Sequence, residues 1–293
     1  FEPGSIMKIF TLAAGLAENK FELDTVFQVP ETYELFDRTI KEAHDRDEDE
    51  TDRQTVAEII EKSLNVGTTL MALELGKQTL YNYLAKFGFG SRSGIQLPGE
   101  SAGLLRSPEK WSEVDIGTLS FGQGIAVTGL QVSSAIATIA NGGRLVKPTV
   151  INYITDYQFS NLKRTQSDTS KQVIRSAVAN QVELAMTRVV DQGTGGPVKI
   201  PGFSIAGKTG TAQKPRANGR GYEKGKYVAS FVGYLTKTDP KLLIFVAVDS
   251  PKKSIWGSTV AGSVFKGIAN DLINYYNLIP DRLDEISVDY FSY

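Results

Sequence analysis

Phe1-Glu2-Pro3-Gly4-Ser5-Ile6-Met7-Lys8 opens the sequence. Pro3 and Gly4 signal a turn, after which Ile6, Ile9, Phe10, Ala13 and Leu16 recur at mixed spacings of three and four. That period predicts a helix from Ser5 to about Ala17. Ser5 and Lys8, at i and i+3, share one helix face, roughly 5–6 Å apart at Cβ. A lysine amine therefore reaches the serine hydroxyl. Alone, the pair reads more simply as a helix-capping serine beside a surface lysine. Two later triplets change the weighting: Ser63-Leu64-Asn65 and Lys208-Thr209-Gly210. A Ser-x-x-Lys, a Ser-x-Asn and a Lys-Thr-Gly in this order are the parts of a serine acyl-transfer site.

Each residue type has a chemical reason to be there. A serine hydroxyl is a poor nucleophile until a base takes its proton. Lys8 is such a base only if burial or a nearby positive charge lowers its pKa from about 10.4 toward neutrality. Lys208 can supply that charge. The helix start adds a positive dipole and free N–H groups beside Ser5. Ser63 can relay a proton to a leaving amine, and the Asn65 amide can bind a substrate carbonyl; the plainer reading of Ser63 is a helix cap. Lys208-Thr209-Gly210-Thr211 is read as the end of a strand. An edge strand offers unpaired N–H and C=O groups to an extended peptide. Gly210 would let substrate backbone approach, Lys208 and Thr209 would bind a substrate carboxylate, and the backbone N–H groups of Ser5 and Thr211 are candidates for an oxyanion hole.

The composition is that of an ordinary globular protein, 41% hydrophobic and 22% charged over 293 residues. A net charge of −1 gives no global field toward nucleic acid. The absence of cysteine excludes a thiol nucleophile, a disulfide framework and any Cys-ligated metal. His44 is the only histidine, and nothing around it in the sequence suggests a partner. No apolar run reaches the ~18 residues of a membrane span. The sequence begins with Phe four residues before its candidate nucleophile, so it reads as a fragment whose export signal, anchor or leading domain lies upstream.

Along the chain, helices are expected at Thr55 to Lys62, Val66 to Gly76, Gln78 to Phe87, Gly129 to Ala140 and Ser176 to Val190, with a closing helix from Thr259 to Tyr276. Residues 21–53 and 91–124 look irregular, and the acidic run from Asp45 to Glu50 reads as a solvated loop. Leu145 to Ile154 has strand character broken at Pro148, and 159–172 reads as an exposed loop. Strands are expected at Phe203 to Lys208, Tyr227 to Leu235 and, fully buried, Lys241 to Val248. Between the first two, Lys214, Arg216, Arg220, Lys224 and Lys226 face only Glu223: either an anion-attracting loop or a solvated hairpin. Helices early and antiparallel strands late predict an α+β fold, an antiparallel sheet flanked by helices.

These stretches resemble class B penicillin-binding proteins. Phe1 to Lys8 is similar to their acylation motif, Lys62-Ser63-Leu64-Asn65-Val66-Gly67 to their second motif, and Ala206-Gly207-Lys208-Thr209-Gly210-Thr211-Ala212-Gln213 to their third. Phe121-Gly122-Gln123-Gly124, Asn141-Gly142-Gly143 and Ser230-Phe231-Val232-Gly233-Tyr234 extend the likeness, which runs to about residue 280. The Asn-Val-Gly tail and the Phe-Gly-Gln-Gly stretch look closer to the septal, cell-division (FtsI-like) branch than to the elongation branch. Leu64 departs from the family, where smaller residues are common.

The resemblance implies the transpeptidase fold shared with serine β-lactamases. It implies a reaction in which Ser5 attacks the D-Ala-D-Ala bond of a peptidoglycan stem peptide and D-Ala leaves. A second stem's amine then resolves the acyl-enzyme. Catalytic roles pass to Ser5, Lys8, Ser63, Asn65 and Lys208, and substrate binding to Thr209, Gly210 and Thr211. No metal or organic cofactor is implied. The implied partners are stem peptides, β-lactams, division proteins and a membrane glycosyltransferase, with no nucleic acid. The implied location is the extracytoplasmic face of a bacterial membrane, held by an anchor upstream of this chain. Residues 1–293 are then one transpeptidase domain, apparently without any pedestal and without the two strands that in the family precede the serine helix; a sheet lacking that centre is not expected to fold alone.

Rival readings remain open on the sequence. A β-lactamase needs a deacylating Glu-x-x-x-Asn loop, and residues 95–124 hold none suitably placed, so slow deacylation is expected. A D,D-carboxypeptidase passes the acyl group to water, and a β-lactam sensor domain stays acylated. An inactive scaffold would lose motif residues, and none is lost here.

Overall fold

The computed structural model describes residues 1–44, 51–164, 171–216 and 221–286. The serine turn is a 3-10 helix, Gly4–Met7, that runs straight into α1 (Lys8–Ala17). Short strands β1 (Val26–Gln28), β2 (Thr32–Leu35), β3 (Arg38–Lys41) and β4 (Arg53–Thr55) follow, pairing as β1–β4 and β2–β3. Helices α2 (Val56–Glu61), α3 (Asn65–Leu75), α4 (Lys77–Lys86), α5 (Asp115–Ser120) and α6 (Gly129–Ala140) build the first half. A small ladder, β5 (Tyr153–Ile154) with β6 (Lys163–Arg164), and α7 (Ser176–Asp191) lead to the main sheet. That sheet is β7 (Ile205–Pro215), β8 (Tyr222–Leu235) and β9 (Leu243–Asp249), antiparallel in the order β7-β8-β9, closed by α8 (Gly257–Tyr276).

α1 is buried on every side from Lys8 to Leu16, as are Ile6 and Met7 in the turn before it. A helix apolar all round belongs inside a core. Phe10 meets Phe87 and Phe89 with ring centroids 5.0 and 4.9 Å apart. The alternation of β8 divides the packing between two layers. Val232 and Tyr234 face the core around α1 and α7, while Phe231 and Leu235 face α8. On that second side Phe231 and Phe265 pack edge to face at 4.7 Å.

Several expectations need correction. β7 does not end at Lys-Thr-Gly; it stays in register with β8 through Gln213↔Tyr227 and pairs again at Pro215↔Tyr222. Hydrogen bonding to a long partner overrides the break that Gly210 suggests. β9 is half-buried, with Ile244 its one buried residue, because it lies at the sheet's other edge. The strand expected over 145–154 shrinks to Tyr153–Ile154. The irregular 91–124 region contains α5, too short for a visible period; Asp115 holds its start by accepting from the Ser112 backbone and hydroxyl. Residues 21–53 contain β1–β3 and the start of β4. Of the basic residues expected between these strands, Lys214 lies in β7 and pairs with Asp249 of β9 at 2.7 Å, and Lys226 lies in β8 and pairs with Glu223 at 2.8 Å, which favours the solvated reading. Asp45 to Glu50 and Arg220 lie outside the described residues.

The loop after α5 is pressed against the serine turn. Gly4 N–H donates to the Gly122 carbonyl at 3.3 Å. A Cβ on Gly122 would sit 2.2 Å from the Gly4 oxygen and 2.6 Å from its nitrogen, at a φ of +86°. Both obstacles are backbone, so no rotamer relieves them. Gly122→Ala is expected to cost about 2–5 kcal/mol, summing left-handed backbone strain and overpacking. Chemical denaturation reads this; an unchanged midpoint would contradict the close approach.

Candidate active site

Three elements far apart in sequence deliver the motif residues to one place. Thr55 and Glu58 form a capping box that starts α2. The chain leaves α2 through Ser63, whose φ of +62° is the left-handed turn between α2 and α3. That turn leaves the Ser63 carbonyl and hydroxyl facing the Lys8 amine. Leu64, the departure from the family pattern, is buried in the core, so its bulk does not shape the cleft.

The Lys8 amine donates to the Ser63 carbonyl in a short contact, to Asn65 Oδ1 at 2.8 Å and to Ser63 Oγ at 3.3 Å. From β7, the Lys208 amine donates to the same Ser63 Oγ at 2.9 Å and to Thr209 Oγ1 at 3.3 Å. The Ser63 hydroxyl thus bridges two amines. Thr209 continues the chain to the Thr194 hydroxyl at 3.2 Å. Both lysines are fully buried. Burial lowers Lys8 to about 7, against the pull of the Glu42 carboxylate, which raises it. Lys208 is held well below the usual lysine range by burial and then by the Lys8 charge. Of the two causes the sequence left open, burial or the Lys208 charge, desolvation is the leading one at Lys8.

Ser5 faces two adjoining cavities of about 310 and 180 Å³, which share Ser5, Ala43, Thr211 and Trp256. Asn65, Glu42 and Gln123 line the larger; Ser63, Thr194, Thr209 and His44 line the smaller. So all eight sequence-derived site residues gather here, but not all as expected. Thr209 and Thr211 face the cavity, whereas Gly210, on the alternate face of β7, does not line it. A side chain at Gly210 would strike Ser230 Oγ at 2.4 Å and the Pro3 carbonyl at 2.8 Å. Gly210 thus makes room for the chain's own serine turn, not for substrate. The Asn65 amide is also engaged: its oxygen accepts from Lys8 and its nitrogen donates to the Lys41 carbonyl at 2.9 Å. The Thr211 hydroxyl accepts from Gly257 N–H at 3.3 Å, tying β7 to the start of α8.

Sequence reasoning missed one wall. Glu42, Ala43 and His44 run from β3 along the cleft, and His44 meets Trp256 with centroids 5.0 Å apart at 61°. His44 borders the smaller cavity, and burial, then the charges of Lys8 and Lys208, lower its pKa. No local spacing marks these residues, since their partners come from β7 and α8. A separate cavity of about 350 Å³ beside α4 and α6 shares no lining residue with the motifs.

Comparison with known proteins agrees with this geometry. The family described as penicillin binding protein transpeptidase domain matches residues 1–270. Stage V sporulation protein D of Bacillus subtilis is 35% identical over 99% of this chain and 44% of its own length. PbpC of Pseudomonas aeruginosa, named a probable peptidoglycan D,D-transpeptidase, is 31% identical over 97% of this chain and 48% of its own. Penicillin-binding protein 3 of Mycobacterium tuberculosis, solved in complex with aztreonam, superimposes with a TM-score of 0.87 at 31% identity, covering 96% of this chain and 64% of that one. The chain thus spans about half the length of such curated relatives. With three motifs converging on one cleft and this match along most of its length, the chain belongs to the penicillin-binding protein transpeptidase family.

Proposed function

We propose that this chain is the catalytic domain of a peptidoglycan D,D-transpeptidase that cross-links stem peptides through a Ser5 acyl-enzyme. The observation that carries the reading is the Lys8–Ser63–Lys208 hydrogen-bond chain opening into the cavity that holds Ser5. Above pH 7 the Lys8 amine is mostly neutral and can take the Ser5 proton as Oγ attacks the penultimate D-Ala carbonyl. The backbone N–H groups of Ser5 and Thr211 receive the developing oxyanion. Ser63, between the two amines, returns a proton to the leaving D-Ala nitrogen as the peptide bond breaks. The amine of a second stem then attacks the ester, losing its proton to Lys8, and Ser5 is regenerated.

β7 pairs with β8 on one side only, so its outer edge can take a stem peptide as an added strand. Thr209 and Lys208 would hold the terminal carboxylate. A β-lactam enters the same path and stays on Ser5. Resemblance to the septal branch supports a role in cell division, with division proteins and a membrane glycosyltransferase as partners, at the extracytoplasmic face. Among the described residues no helix is long and apolar enough to cross a membrane, and the reading places the anchor upstream of this chain.

Incubation with a stem pentapeptide and an acceptor amine tests the reading. Cross-linked dimer and free D-Ala are expected, together with one covalently bound benzylpenicillin per chain. Hydrolysed tetrapeptide alone would make the protein a carboxypeptidase. Rapid repeated turnover of nitrocefin would make it a β-lactamase. Either result overturns the proposal.

A further inference from the structure

The segment that leaves β3 is tied to the second motif by three hydrogen bonds. The Glu42 carboxylate accepts from the backbone N–H of Asn65 in a short contact and from that of Val66 at 3.0 Å. The Asn65 side-chain nitrogen donates to the Lys41 carbonyl at 2.9 Å. These are the first N–H groups of α3, whose own N-cap residue, Leu64, has no side-chain acceptor. A helix start leaves such donors without intrahelical partners and favours negative charge. Glu42 meets both needs from a remote part of the chain. Ala43 and His44 follow it directly and form the cavity wall facing Thr209 and Thr211.

We infer that Glu42 is a positioning residue of this site: its carboxylate latches the 42–44 segment to the start of α3 and so fixes where Asn65 meets the Lys8 amine. The inference rests on the acyl-transfer reading above. It has a geometric and an electrostatic part. Geometrically, Asn65 is held at its backbone by Glu42 and at its amide nitrogen by Lys41, which leaves its oxygen aimed at Lys8 at 2.8 Å. Electrostatically, the titratable groups acting around Lys8 among the described residues are Glu42 and His44 from this segment and Lys208 from β7. Glu42 is the one negative charge among them. It favours the protonated amine, so it opposes burial and keeps the Lys8 titration from falling further.

The test is the pH dependence of the second-order rate of benzylpenicillin acylation in wild type, Glu42→Gln and Glu42→Asp. Glutamine keeps the size but loses the charge and presents an N–H₂ to a backbone donor. Its rising limb is expected to move to lower pH, because Lys8 then sheds its proton more easily. Its plateau is expected to fall by roughly 10–100-fold, the scale of loss when a catalytic group is displaced by a fraction of an ångström to an ångström. A purely structural loss would lower the amplitude and leave the limb in place. Glu42→Gln with the wild-type limb and plateau overturns the inference. Should that variant not fold, Glu42→Asp carries the test: the charge stays but falls one methylene short. Its plateau should drop with the limb near wild type and the melting temperature unchanged, and an unchanged plateau, or a plateau drop matched by a lowered melting temperature, overturns the inference. A wild-type protein that is never acylated would sink the functional reading itself, which separates the two failures.

Discussion

Covalent labelling by benzylpenicillin is expected to vanish when Ser5 is replaced by alanine, with the melting temperature nearly unchanged. Three serines line the cleft, Ser5, Ser63 and Ser258, and the choice between the two motif serines, Ser5 and Ser63, is substantive. Ser63 is 6% exposed, and its Oγ accepts from both Lys8 and Lys208. A hydroxyl engaged by two donors is suited to passing protons, not to attacking an incoming carbonyl. Ser5 borders both cavities and is only half-buried. Alanine at position 5 removes one oxygen next to open space, a change that ordinarily costs within about 0.5 kcal/mol. Intact mass spectrometry and a peptide map read the outcome. Label that survives the substitution, or appears on Ser63, would remove Ser5 from the mechanism.

Lys8→Met should have the next largest effect. Methionine nearly preserves the buried volume of the unbranched chain but cannot accept a proton. General-base catalysis is worth typically 10²–10⁴-fold, and that is the expected fall in acylation rate. The pH profile supplies a sharper mark. With Lys8 near 7, the neutral base is scarce below that pH and abundant above it. Wild-type acylation should therefore climb as pH rises through about 7 and level off, while Lys8→Met should lose this limb. The substitution also leaves the Ser63 carbonyl and Asn65 Oδ1 without their donor, a structural cost of roughly 1–3 kcal/mol for each buried acceptor left unpaired. Denaturation measured alongside separates that cost from the chemistry. A variant that keeps both the rate and the limb would move the base role away from Lys8.

The contrast between Gly210 and Glu42 shows how much could be read beforehand. Gly210 was legible as a site residue because Lys-Thr-Gly is a local pattern, yet its role came out reversed. In a strand, neighbouring residues point to opposite faces, so Thr209 and Thr211 can reach the cleft only if Gly210 turns toward Pro3. Glu42 and His44 were not legible at all. They sit after a short strand in an irregular region, and Trp256, which packs on His44, comes from the far end of the chain. Helix limits were closely anticipated, since caps and periodicity are local. The extent of β7 was not, because only pairing with β8 carries it to Pro215.

Amino-acid order alone determined the α+β class, the limits of most helices, and Ser5-x-x-Lys8, Ser63-x-Asn65 and Lys208-Thr209-Gly210 as candidate motifs of an acyl-transfer site. These depend on contacts within a turn or two of helix, where residue spacing dictates geometry. Tertiary structure alone decided that Lys8 titrates near 7, that one hydroxyl joins two amines, and that a carboxylate leaving β3 caps the helix of the second motif. The physical reason is the same in each case. Desolvation and hydrogen bonding depend on what surrounds a group in space, and here those neighbours lie 55 and 145 residues apart along the chain.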